Sequence, residues 1–130
     1  MFSFLGWLNV VLLGIIILPY ILVFFNKKFI KTKNPSFRPF LKFLRKLHKP
    51  LGLLLLSLAL IHGYLALGRI ALHTGSLLYL AIFITALLGS SFYKLKKKPL
   101  FTWHKRMAFI VILLLILHKF YPSALWHLLN

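Results

Sequence analysis

Four apolar runs divide the 130-residue chain, and each can cross the roughly 30 Å hydrocarbon core of a bilayer as an α-helix. They fall at about residues 2–25, 48–67, 77–93 and 103–121. Charge enters only between and beside them, and it has one sign: 17 Lys and Arg against no Asp or Glu, a formal net charge of +17. Charged residues are 13% of the chain, about half the share in a soluble domain, and hydrophobic residues are 61%. Such a chain reads as an all-α integral membrane protein, a four-helix transmembrane bundle forming a single domain over residues 1–130.

The first run, Phe2 to Phe25, carries Asn9, Gly14 and Pro19 as interruptions. It has no basic leader and no small-residue cleavage site, so it is expected to be a span rather than a signal peptide. Pro35 and Pro39 punctuate the basic stretch that follows, which predicts a loop at the membrane surface with Phe37, Phe40 and Phe43 dipping into the interface. Only a short connection around Arg69 to Thr74 separates the second and third spans, so these must run antiparallel. In the third, Ala81, Thr85 and Gly89 recur at every fourth position and form a small-residue face suited to close helix packing. Trp7, Trp103, Trp126, Tyr93 and Tyr121 fall near span ends, where interfacial aromatics gather.

Lys and Arg mark the cytoplasmic side of a membrane protein. The first basic loop holds Lys27, Lys28, Lys31, Lys33, Arg38, Lys42, Arg45, Lys46 and Lys49, and the second holds Lys94, Lys96, Lys97, Lys98, Lys105 and Arg106. Arg69 and Lys119 alone fall on the other side. Both termini are therefore expected outside and both basic loops in the cytoplasm, in a plasma membrane of bacterial type. The cations suit anionic lipid on that side or an acidic protein, with no nucleic-acid role expected.

Without carboxylates there is no Asp or Glu acid–base catalysis and no acidic oxygen site for a hard cation. Without Cys there are no thiolate zinc sites, iron–sulfur clusters or covalently attached c-type haem. Histidine is the one strong metal-ligand type left. Four of the six histidines form a pattern: His48 and His62 stand at i and i+14 in the second span, and His104 and His118 repeat that spacing in the fourth. Fourteen helical steps return within roughly 40° of the starting direction and rise about 21 Å, so each helix carries two imidazoles on one face at two depths. In the expected topology the second and fourth spans are parallel. His48 then shares an inner level with His104, and His62 an outer level with His118. Two neutral imidazoles per level could fill both axial positions of a porphyrin iron, a set that favours electron transfer over ligand binding.

Small residues would leave room for flat macrocycles. The stripe His48, Gly52, Leu55, Ala59, His62, Ala66, Arg69 places Gly52 and Ala59 beside the histidines, and His104, Ala108, Val111, Leu115, His118 places Ala108 one turn from the inner ligand. Arg69 above the outer level, and Arg45, Lys49, Lys105 and Arg106 around the inner one, could meet propionates. Basic residues at span ends also snorkel to lipid phosphate. For any one histidine, a hydrogen bond between helices is the simpler role; for two matched pairs, ligation is the better account. His73 and His127 have no partner in register and are expected to be solvated at the outer interface.

At these residues, and in the run RKLHKPLG leading to His48, the chain resembles the ferric reductase-like transmembrane domain, the haem-bearing core of ferric reductases, NADPH oxidases and related metalloreductases. The likeness covers about residues 1–121. It implies two non-covalent haems b, the inner iron held by His48 and His104 and the outer by His62 and His118. Cytochrome b of the quinol–cytochrome c oxidoreductases uses a similar spacing, but its first helix starts on the inner side and its long quinol-site connections have no counterpart here. Family members commonly add a cytosolic flavin and nicotinamide module, and no G-x-G-x-x-G occurs in this chain. The expected function is a di-haem membrane cytochrome, an electron-transfer component of oxidoreductase type. Its donor would be a separate flavoprotein, a flavodoxin-like protein or a quinol. Its outer acceptor would be ferric iron, oxygen or a redox partner. Two rivals are the haem-anchor subunit of a quinol-linked dehydrogenase and a non-redox polybasic scaffold or transport protein.

Overall fold

The computed structural model describes residues 2–69 and 71–130, and the side chain of Phe2 lies outside the description. Among the described residues there is no strand. The elements are α1 (Phe2–Phe25), continued by a π-helical turn (Asn26–Ile30), then α2 (Phe37–Leu67), α3 (Thr74–Leu95), α4 (Lys98–Phe120) and a short α5 (Ala124–Leu129). Four helices are long and apolar enough to cross a membrane: Ser3–Ile30, Phe37–Leu67, Thr74–Leu95 and Lys98–Phe120. Their apolar side chains stay largely exposed, as suits helices solvated by lipid. Trp7, Trp103, Trp126, Tyr93 and Tyr121 are all exposed.

The helices overrun their expected bounds: a π-helical turn extends α1 to Ile30, α3 covers Thr74–Leu95, and α4 starts at Lys98 within the expected second loop. The largest departure is in the first basic stretch. The basic stretch is not a loop throughout: α2 starts at Phe37, and its 31 residues, Pro50 among them, have a contour length of about 46 Å, longer than the hydrocarbon core. Pro39 is accommodated because it falls in the first turn, where backbone N–H groups have no intrahelical acceptor in any case. Ordinary caps end the other segments. Gly68 takes a positive φ of 65° and its N–H bonds back to Tyr64 O, closing α2. Lys96 closes α3 in the left-handed conformation, with its N–H on Phe92 O.

The chain divides into two compact units, Met1–His62 and Gly63–Asn130. In the first, α1 and α2 meet antiparallel: residues late in α1 contact His48, and Gly6 near its start contacts His62. In the second, α3 and α4 form a closely packed hairpin around Thr74, Leu78, Ala81 and Val111, the last only 2% exposed. Ala81 and Gly89 of the small-residue face are part of that packing. Because the chain has no Asp or Glu, its cations use aromatic faces instead: Lys28 lies over Phe24, Lys96 over Tyr93, Lys105 over Phe101 and Arg106 over Trp103, at 4.5–5.1 Å from ring centroids.

Candidate histidine sites within the two units

All four paired histidines are half-buried or packed on one side, and each is seated against the neighbouring helix of its own unit. The seats are made by missing side chains. A Cβ at Gly89 would lie 2.9 Å from His104 Cε1, one at Gly75 would lie 3.0 Å from His118 Cε1, and one at Gly6 would lie 3.1 Å from His62 Cε1. On α3, Gly75 and Gly89 stand at i and i+14, and they receive the two α4 histidines that have the same spacing. α1 repeats the arrangement with one change. Gly6 receives His62, and at the equivalent i+14 position stands Tyr20, whose ring meets His48 edge-on with centroids 5.7 Å apart. Glycine complementarity at the histidine spacing is therefore written in the sequence of α3, and half of it in that of α1.

Hydrogen bonds then orient the rings. His104 Nδ1 lies 2.8 Å from Thr85 O, the carbonyl one turn before Gly89, which lacks the Cβ that would obstruct the approach. A carbonyl can only accept, so Nδ1 carries a proton, and in the neutral ring the lone pair is then on Nε2. Likewise His48 Nδ1 donates to Ile16 O at 3.3 Å. Three residues further on stands Pro19, which has no N–H for the neighbouring Ile15 O and crowds the preceding turn of α1. His118 Nδ1 lies 2.9 Å from Thr74 Oγ1. A histidine whose Nδ1–H is held by an outer acceptor presents Nε2 in a fixed direction, the usual arrangement of histidines that ligate metals.

The stripes flanking these residues follow the helical phase only in part. Gly52, Leu55 and Ala59 lie buried or half-buried between His48 and His62, as do Ala108, Val111 and Leu115 between His104 and His118. A Cβ at Gly52 would meet no atom within 4 Å, so there is room beside His48. Beyond His62 the stripe fails: Ala66 is exposed, and α2 ends at Leu67, so helical phase does not carry Arg69 onto the histidine face. Arg45 is exposed, and Arg106 is stacked over Trp103.

His73 corrects its expectation. It is half-buried rather than solvated, caps α3 by accepting the Gly75 N–H on Nδ1, and meets His118 edge-on at 6.0 Å. The helix N-terminus needs an acceptor, and the His73 ring supplies it. His127 is exposed on α5. Among the described residues, no three His, Cys, Asp or Glu side chains gather into one cluster. No family model matches this chain, and neither does any curated protein or solved structure.

Proposed function

We propose that this chain is a b-type membrane cytochrome of the ferric reductase-like kind, its four spans forming one bundle with two haems between α2 and α4. His48 and His104 would hold the inner iron and His62 and His118 the outer. Haem bound through two imidazoles supplies one-electron exchange with no open position for a substrate. The chain supplies ligands at a fixed spacing, room beside them at Gly52, Ala59 and Ala108, and an apolar surround. Electrons would pass from a cytoplasmic donor, a flavoprotein, flavodoxin-like protein or quinol, to ferric iron, oxygen or a redox protein outside.

One observation carries the reading: imidazoles repeated at i and i+14 on two helices, with the Nδ1–H of His48 and of His104 placed on a backbone carbonyl, the bond that puts the lone pair of a neutral ring on Nε2. That tautomer fits an axial ligand. Neutral imidazoles are also the donor type available in a chain with no Cys, Asp or Glu. The same bonds favour a second reading, in which the histidines only join helices and the protein is a polybasic scaffold.

Colour separates the two. Protein purified from haem-replete cells should show low-spin bis-imidazole bands on dithionite reduction, and acid acetone should extract about two haems per chain, as the two His pairs imply. A colourless preparation would leave the scaffold reading standing.

A further inference from the structure

We propose that Thr74 is the positioning residue for His118: its hydroxyl fixes the Nδ1–H tautomer of that imidazole through a relay to the backbone carbonyl of Pro122. Among the described residues Thr74 is the buried polar side chain, 1% exposed. It stands at the first position of α3, next to the Gly75 seat of the His118 ring. Its Oγ1 lies 2.7 Å from Pro122 O and 2.9 Å from His118 Nδ1.

The direction of both bonds follows from counting protons. Threonine has one hydroxyl hydrogen, and the Pro122 carbonyl can only accept, so that hydrogen is committed to Pro122. Towards His118 the oxygen then has only lone pairs to offer. His118 must therefore donate, with a proton on Nδ1 and, in the neutral ring, the lone pair on Nε2. His73 does not compete for this role, because its own Nδ1 accepts from Gly75 N–H and its contact with Thr74 Oγ1 is longer, at 3.5 Å. The relay joins positions far apart in the sequence and ties the start of α3 to the turn that follows α4.

His104 gets the same orientation from a main-chain carbonyl, which no side-chain substitution removes. His118 gets it from a side chain, so the outer histidine can be altered without touching a ligand or a glycine seat. As it concerns ligation, the inference rests on His118 binding iron, as proposed for the function; as it concerns the tautomer, it stands on the hydrogen bonds alone.

The test compares full-length wild type, Thr74→Val and Thr74→Ser, each reconstituted with haem b and also prepared haem-free with 15N-labelled histidine. Thr74→Val keeps the shape and removes both hydrogen bonds. One of the two haems should be held about 10- to 100-fold less tightly, the usual effect of losing an outer-shell partner. Where retained, that haem should have a raised midpoint potential, because its imidazole donates less electron density. Thr74→Ser should restore both values. In the haem-free chain, the 15N shifts of His118 should report the Nδ1–H form in wild type and Thr74→Ser, and a tautomer mixture in Thr74→Val. Unchanged haem retention, potential and tautomer in Thr74→Val would overturn the proposal, as would a Thr74→Ser variant that behaves like Thr74→Val, since the effect would then be packing. If wild type bound no haem, the cytochrome reading would fail, and the 15N shifts would still decide the role of Thr74.

Discussion

In Gly63–Asn130, two glycines on α3 receive the two histidines of α4, and both imidazoles are bonded at 2.8–2.9 Å. In Met1–His62, one histidine has a glycine seat and the other rests edge-on against Tyr20, with a longer 3.3 Å bond to a carbonyl beside a proline. Ring placement on α3 is thus set by two glycines, and on α1 by one glycine and one aromatic edge. The first device leaves little freedom, because an imidazole between a glycine and a bonded acceptor has one pose. The second rests on an edge contact and a longer bond, which leave the ring more room to adjust.

The largest effects should come from removing the imidazoles. On the proposed reading each haem draws one histidine from the second span and one from the fourth. His62→Ala and His118→Ala should each cost the same haem, and the double variant should do little more, because losing either ligand already weakens that site. His62→Ala with His48→Ala should damage both. Haem content and reduced spectra of the purified variants read this directly, and loss of a single haem in His62→Ala with His104→Ala would break the pairing.

A step smaller is the crowding of the seats. Gly89→Ala should displace the His104 ring, since its Cβ would sit 2.9 Å from Cε1 with Nδ1 at 3.0 Å. The cost should be about 1–3 kcal/mol, the range for overpacking. At Gly6 the nearest approach is 3.1 Å and the next atom is 3.5 Å away, so Gly6→Ala should cost less. Thermal unfolding in detergent orders the two. Equal costs would mean that the units hold their rings with equal stiffness, and the contrast between α3 and α1 would disappear.

The four spans were legible because apolar runs of this length have few other outcomes, and the face shared by His48 with His62, and by His104 with His118, because helical phase turns a spacing into a face. The start of α2 was hidden by Pro35 and Pro39. Proline signals a break, yet in a first turn it removes nothing the helix uses, and Leu41 and Leu44 are buried in a segment that composition marks as a surface loop. The Gly75 and Gly89 seats were open to reading, since their spacing matches that of the histidines, but the shorter recurrence of Ala81, Thr85 and Gly89 is the stronger local pattern. The acceptors could not be read at all. Every residue has a carbonyl, so nothing in the sequence distinguishes Ile16 O or Thr85 O from its neighbours. His73 shows the same limit, since its capping role depends on where α3 begins.

The smallest effect is the one that tests the α1 device most closely. Pro19 lies inside a helix of 24 residues, where it removes the bond to Ile15 O and crowds the preceding turn. Pro19→Ala would restore an N–H for Ile15 O and relieve the crowding of the preceding turn, which includes Ile16 O. The gain of one backbone bond, about 0.5–1.5 kcal/mol net, should be offset in part by weakening of the His48 to Ile16 O contact and by loss of the buried proline ring. Overall stability should therefore move little, while the His48 15N shifts move away from the Nδ1–H pattern and those of His104 stay in place. A His48 signature unchanged by Pro19→Ala would mean that Ile16 O is presented by an ordinary helix turn, and that the two units hold their histidines by the same means.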